Sequence, residues 1–227
     1  VCVAPRAGAV LGPRAVPGRP ASVCAPVAPA PPPGAALGLL PRHAPSASPP
    51  VPAAASGGRF LPLASLPMQD GAAAASVLDD AHKAGFRGVM IGTQPKGAGG
   101  VLDDPELTPF WQAADRNQSV LFIHPVFDSG DSRVDDYGMN NAIGRITDTL
   151  IAISRLIYSG HVERYAGARI VIGIGGAGLP YVLGRMQRNY DLHKDHLADP
   201  KRALSLLYYD TLLHDPAALQ FLLDMVG

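Results

Sequence analysis

An apolar run, Val120-Leu-Phe-Ile123, stops at His124-Pro125. An imidazole at the end of a buried strand has two uses. A ring nitrogen can bind a metal ion, or a ring N–H can satisfy a backbone carbonyl. Asp210, in Tyr208-Tyr-Asp-Thr211, also stands where an apolar segment ends, and a carboxylate there can position its neighbours. Arg185, in Leu183-Gly-Arg185, carries a forked donor that matches a planar carboxylate. Its plainer use is an ion pair with a helix neighbour. Gly175, Gly176 and Gly178 lack the Lys-Ser/Thr of a phosphate-binding loop and the spacing of a dinucleotide fingerprint. They read instead as a tight turn that lets backbone approach the floor of a site.

Alternating strands and helices must carry these groups. Arg59 to Leu66 reads as a short apolar strand, and Ala72 to Ala84 as an Ala-rich helix with Asp70 before it and Gly85 after it. Gly88 to Gly92 is a buried strand, and Asp104-Pro105 opens a helix through Phe110 and Trp111, which pack toward the sheet. Val120 to Ile123 is the third strand. Ile143, Ile146, Leu150, Ile153 and Ile157 form one helical stripe, which Gly160 ends. Ile170 to Ile172 is a strand, Leu179 to Tyr190 a helix, and Leu204 to Tyr209 the fifth strand. His214-Asp215-Pro216 caps a last helix through Leu223.

Five strand–helix units of this length imply parallel pairing in an α/β fold. A closed eight-unit barrel takes about 250 residues. The expected fold is therefore an incomplete TIM (β/α)8-type barrel over residues 59–227. Ile91, Phe122 and Ile172 are expected in its interior, and the reactive groups at the C-terminal strand ends.

Residues 1–58 differ in kind. They hold 14 of the 23 prolines, both cysteines (Cys2 and Cys24), and no Asp, Glu or Lys. Such a segment buries too little apolar surface to offset chain entropy, so a disordered or mistranslated low-complexity tail, open to protease, is expected. The tail carries four arginines, which leaves 15 basic and 19 acidic residues in the body. Neither part has the basic footprint of a nucleic-acid binder. The body has no cysteine, hence no disulfide frame and no thiolate zinc site. No apolar run reaches the roughly 18 residues of a membrane span, and a cytoplasmic location is expected.

The His124-Pro125 strand end, the Ile174-Gly-Gly-Ala-Gly-Leu-Pro-Tyr181 segment, Gly184-Arg185 and His214-Asp215-Pro216 together resemble the amidohydrolase superfamily. The likeness is to its decarboxylase branch, typified by aminocarboxymuconate semialdehyde decarboxylase, and covers residues 59–227. It implies a zinc-dependent, or other divalent-metal-dependent, carboxy-lyase or hydrolase of a carboxylated cyclic or muconate-like small molecule, working as a homodimer. His124 would be a metal ligand. Arg185 would reach the substrate carboxylate, often across the dimer interface, and His193 stands where the family has a second arginine. Asp210 matches a family aspartate and would position catalytic groups.

Three family features differ here. The opening His-x-His strand and the late Ser-Asp or Thr-Asp strand have no counterpart, and Ile174 holds the place of the usual proton-handling histidine. A chain truncated at both ends, with part of the metal site and little bound metal, is therefore expected. The alternative is an inactive fragment or pseudoenzyme that at most dimerises.

Overall fold

A computed structural model of the chain describes residues 59–126 and 130–227. The expectations for the tail, residues 1–58, lie outside the described residues.

Strand β1 (Leu63–Ser65) leads to helix α1 (Gly71–Lys83). Asp70 caps α1: one carboxylate oxygen accepts from the Ala72 and Ala73 amides at 2.9 and 3.0 Å. Strand β2 (Gly88–Gly92) follows as expected. Asp104 caps a 3-10 turn, Pro105–Leu107, which runs into α2 (Thr108–Arg116). Strand β3 (Val120–His124) includes the histidine. A π turn, Asn140–Gly144, opens α3 (Arg145–Tyr158), which is followed by the short α4 (His161–Arg164). Strand β4 (Arg169–Ile172), α5 (Leu179–Leu192), α6 (Pro200–Leu204), β5 (Tyr208–Tyr209) and α7 (Pro216–Val226) complete the order.

The five strands pair in parallel in chain order, β1-β2-β3-β4-β5. Sequential parallel order is the topology of a singly wound (β/α) barrel; doubly wound sheets shuffle it. The structure is thus an arc of five βα units, the incomplete barrel expected from the sequence.

Strand register sorts the sheet into two faces. Val89, Leu121 and Ile170 align, as do Ile91, Ile123, Ile172 and Tyr209. All seven belong to one core cluster with Leu78, Phe110, Trp111, Ile153, Leu156 and Ile157 from the helices. Ile91 and Ile172 therefore face the helix layer, a correction to their expected interior place. The opposite face carries the row Ser65, Met90, Phe122, Val171 and Tyr208. Of the three interior expectations, Phe122 alone lies there.

Two further expectations change. Leu204 ends a helix rather than starting the fifth strand. Asp199 caps that helix by accepting the Lys201 amide at 2.9 Å, and Pro200 fits its first turn. The apolar stripe of α3 also fails at its start, where Ile143 is exposed. The π turn adds a residue there and turns the helix face. The buried face is instead Asp148, Thr149, Ala152, Ile153, Leu156 and Ile157.

His161 lies in this core, its ring 5.5 Å from both Trp111 and Tyr165 and its Nδ1 2.8 Å from Ser159 Oγ. Burial, and then the nearby Arg164 charge, push its imidazole below its ordinary value, with Asp103 opposing. The unfolded chain takes up this proton near pH 6.5, while the folded chain resists it. Stability from this residue is complete above that pH and is lost as pH falls toward the depressed folded value. Urea midpoints of wild type and His161→Phe are expected to converge in their pH response above about pH 7 and to part below pH 6.5, with wild type falling more steeply.

Candidate functional site

The C-terminal strand ends form a rim. Gly92 pairs with His124 in register, Gly173 follows β4, and Asp210 follows β5. His124 is exposed at this rim. Its Nδ1 is 2.8 Å from the Pro125 carbonyl oxygen. A carbonyl only accepts, so Nδ1 is the donor here, and in the neutral ring this tautomer leaves the Nε2 lone pair free. The two uses open to this histidine are therefore compatible: the carbonyl bond fixes the tautomer that leaves Nε2 able to bind a metal.

Asp210 is buried, only 6% exposed. Its Oδ1 accepts the Gly175 amide at 2.6 Å and the Leu212 amide at 3.2 Å, while its own amide donates to Ile172 O at 3.1 Å. It thus ties the end of β5 to the turn after β4.

That turn is left-handed throughout. Ile174, Gly175, Gly176, Ala177 and Gly178 all have positive φ, at 55°, 55°, 82°, 51° and 80°. The glycines read from the sequence as a tight turn are that turn. Ile174 at positive φ is a genuine outlier for a β-branched residue. At Gly175 a Cβ would also overlap the Leu213 side chain. Gly175→Ala is expected to cost about 1–3 kcal/mol. Gly184→Ala, in exposed α5 where a Cβ meets nothing within 4 Å, is expected to gain about 0.5–1 kcal/mol. Paired denaturant titrations check both signs.

Arg185 and His193 do not join this rim. The buried face of α5 is Leu179, Pro180, Leu183 and Met186. Arg185 is exposed and makes no hydrogen bond or ion pair among the described residues. His193 caps the far end of the helix, about 12 Å further along at 1.5 Å per residue. Within one chain, then, the rim gathers His124 and Asp210, and the outer helix holds Arg185 and His193.

Sequence reading missed a second polar cluster beside the rim. Asp148 of α3, 8% exposed, accepts a hydrogen bond from Thr93 Oγ1 and another from Gln94 Nε2 at 2.9 Å. Gln94 Oε1 in turn accepts the Gly99 amide at 3.0 Å, which closes the loop after β2. Asp148 borders two clefts, of about 350 Å³ and 390 Å³. The first also touches Thr93, Gln94 and Arg155, and Arg155 pairs with Asp103 at 2.7 Å. The second touches Asp131, whose carboxyl the Arg133 guanidinium holds down to about 2. The available signal was an acid within the apolar stripe of α3; its partners lie 54 and 55 residues away, beyond any spacing rule.

A catalytic zinc takes about three protein ligands. Among the described residues no three of His, Cys, Asp and Glu come together as a metal-binding group. These residues offer His124 but do not by themselves complete a catalytic metal centre.

Residues 51–227 match the sequence model of a family described as Amidohydrolase. The chain is 29% identical over 178 residues to 2-amino-3-carboxymuconate-6-semialdehyde decarboxylase of Dictyostelium discoideum, covering 74% of this chain and 48% of that protein. Its structure is similar to 5-carboxyvanillate decarboxylase of Sphingomonas paucimobilis, with a TM-score of 0.68 and 28% identity, over 78% of this chain and 56% of the other. A 5-carboxyvanillate decarboxylase from Novosphingobium aromaticivorans, holding manganese and 4-hydroxy-3-methoxy-5-nitrobenzoic acid, shares the fold at a TM-score of 0.69 and 22% identity, over 77% and 53% of the two chains. The chain spans about half the length of these relatives. The motifs at His124 and after Ile174 thus pointed to the right relatives. With the family's sequence matched across all five βα units, the chain belongs to the amidohydrolase family.

Proposed function

We propose that this chain contributes to a metal-dependent carboxy-lyase that removes CO2 from a carboxylated cyclic or muconate-like small molecule. The observation that carries this reading is His124: it sits on the strand-end rim, with its tautomer set so that Nε2 is free to bind metal. The Dictyostelium and Sphingomonas relatives are both decarboxylases, which supports the reaction class. Manganese in the Novosphingobium enzyme supports a divalent ion; zinc is the alternative metal. Such an ion supplies Lewis acidity toward a bound oxygen.

What this chain's residues do can be derived without that ion. Loss of CO2 leaves an electron pair on carbon, which must take up a proton. Ile174 cannot carry one, so the proton comes from elsewhere. Asp210 holds the left-handed turn against β5 and so sets the floor of the site. Arg185, exposed and without an ion-pair partner among the described residues, suits a carboxylate offered by a substrate across a homodimer interface. His193 lies on the same helix, and its part in carboxylate recognition belongs to the same dimer reading. No helix among the described residues is long and apolar enough to cross a membrane.

Ile174 and the incomplete ligand set favour a second reading, a catalytically inactive fragment or pseudoenzyme with at most a dimerisation role. CO2 release from 5-carboxyvanillate with added Mn2+ or Zn2+ separates the two. Release that depends on metal and disappears in His124→Ala carries the first. A chain that releases no CO2 under either metal carries the second.

A further inference from the structure

Register pairing between β2 and β3 ends at Gly92 and His124. The next residue after β3 is Pro125, which has no N–H to give to a strand ladder. The ladder thus stops just where His124 has to be held. Continuing the register sets Thr93 beside Pro125. Thr93 is buried, and its hydroxyl donates to Asp148 on α3, the helix that follows β3. Gly92 fits against Val126: a Cβ built on the glycine would lie 3.5 Å from Val126 Cγ1. His124, Pro125 and Val126 therefore leave β3 alongside chain that Asp148 holds.

Asp148 commits both side-chain oxygens to this brace. One accepts from Thr93 Oγ1 and the other from Gln94 Nε2 at 2.9 Å, while Gln94 Oε1 takes the Gly99 amide at 3.0 Å. A hydrocarbon in that place on α3 would cover the sheet without the desolvation cost of a buried acid. What it would not do is fix the neighbouring strand end in one arrangement, as a fully satisfied polar network does. The same device stands across the rim, where buried Asp210 ties the turn after β4 to the end of β5.

We infer that Asp148 is a positioning residue for His124. Through Thr93 it fixes the chain beside Pro125. The Pro125 carbonyl oxygen, 2.8 Å from His124 Nδ1, then selects the tautomer that leaves Nε2 open. Asp148 acts through these two residues and not by contact with the imidazole. The inference rests on the reading of His124 as the metal-binding end of the rim, and adds what holds it ready.

The test is NMR of the full chain with nitrogen-labelled histidine rings, at alkaline pH above the ordinary imidazole range. His124→Ala assigns the signals. The wild-type His124 ring is expected to show a single tautomer, protonated at Nδ1. Thr93→Val keeps the shape of the side chain and removes the hydroxyl. The His124 ring should then lose the single pattern and show the mixed tautomers of an unconstrained imidazole. Thr93→Ser restores the hydroxyl and should restore the pattern. Asp148→Ala should repeat the loss, and Thr93→Val carries the test if that variant folds poorly. Ile157→Val loosens the core under the same helix without touching the brace, and should leave the pattern intact. An Asp148 that only stabilised the fold would leave His124 unchanged in every folded variant. One tautomer kept in Thr93→Val, a mixture already present in wild type, or the same loss in Ile157→Val overturns the inference. CO2 release is read separately. A tautomer lost only in the brace variants, with no CO2 release, removes the carboxy-lyase reading and leaves this one. CO2 release from a chain whose His124 pattern ignores Thr93 does the reverse.

Discussion

Trp111→Ala is expected to abolish the cooperative melt of the chain. The indole is fully buried in the helix–sheet layer. It meets Phe110 edge-on at 5.3 Å and His161 edge-on at 5.5 Å, and stacks on Tyr165 at 5.8 Å. Its Nε1 donates to Leu102 O at 2.8 Å, which anchors the loop between β2 and α2. Truncation removes the ring, leaves a cavity, and strips a buried carbonyl of its partner. Removing a large core aromatic costs about 3–5 kcal/mol, and an orphaned buried acceptor adds about 1–3 kcal/mol. A domain of ordinary stability holds about 5–15 kcal/mol in total, and among the described residues the sheet of this one is open. Trp111→Phe keeps one aromatic ring in the layer and loses the hydrogen bond and part of the ring volume, so its urea midpoint should fall less than that of Trp111→Ala. A sharp Trp111→Ala melt within a few degrees of wild type would show that the core is organised around other contacts.

Period and punctuation made much of the fold legible. Asp70, Asp104 and Asp215 each sit before a helix and accept backbone amides there, as their side-chain chemistry dictates. The glycines at 85 and 160 follow helices and adopt positive φ. Strand β2 has the bounds read from its apolar run. Misreadings arose where the decisive interaction was not local. Leu204 to Leu207 is apolar enough for a strand, yet the Asp199-Pro200 cap commits its first part to helix. Apolar runs buried on both faces do not reveal which side each residue takes, hence the misplacement of Ile91 and Ile172. The site divides the same way. His124 and Asp210 were visible because strand ends are visible. Asp148 was not, because its meaning depends on Thr93 and Gln94 meeting it across the fold.

The largest solution effect should come from the partly exposed face of the sheet that turns away from the helices. Along the register row from Ser65 to Tyr208, Phe122 and Val171 are buried, while Met90 at 41% and Tyr208 at 38% are exposed on either side. Strands β1 and β5 each pair on one side only among the described residues, which leaves two parallel edges with free donors and acceptors. Helix α7 adds Phe221, Leu223 and Met225, all exposed, and buries only Leu222. Full burial of one such side chain is worth about 1.5–3 kcal/mol, so covering several together outweighs the entropy of bringing two chains into contact. The purified 227-residue chain is therefore expected to self-associate as concentration rises and to bind a hydrophobic dye. Light scattering on a sizing column reads the first, and dye fluorescence the second. Met90→Lys with Tyr208→Lys places charge on that row without touching the helix-side core, and should shift the chain toward monomer and lower the dye signal. A dye-silent monomer at all concentrations would mean the row is already covered in solution, and the two lysines should then destabilise the fold itself, because they would be forced into a buried face.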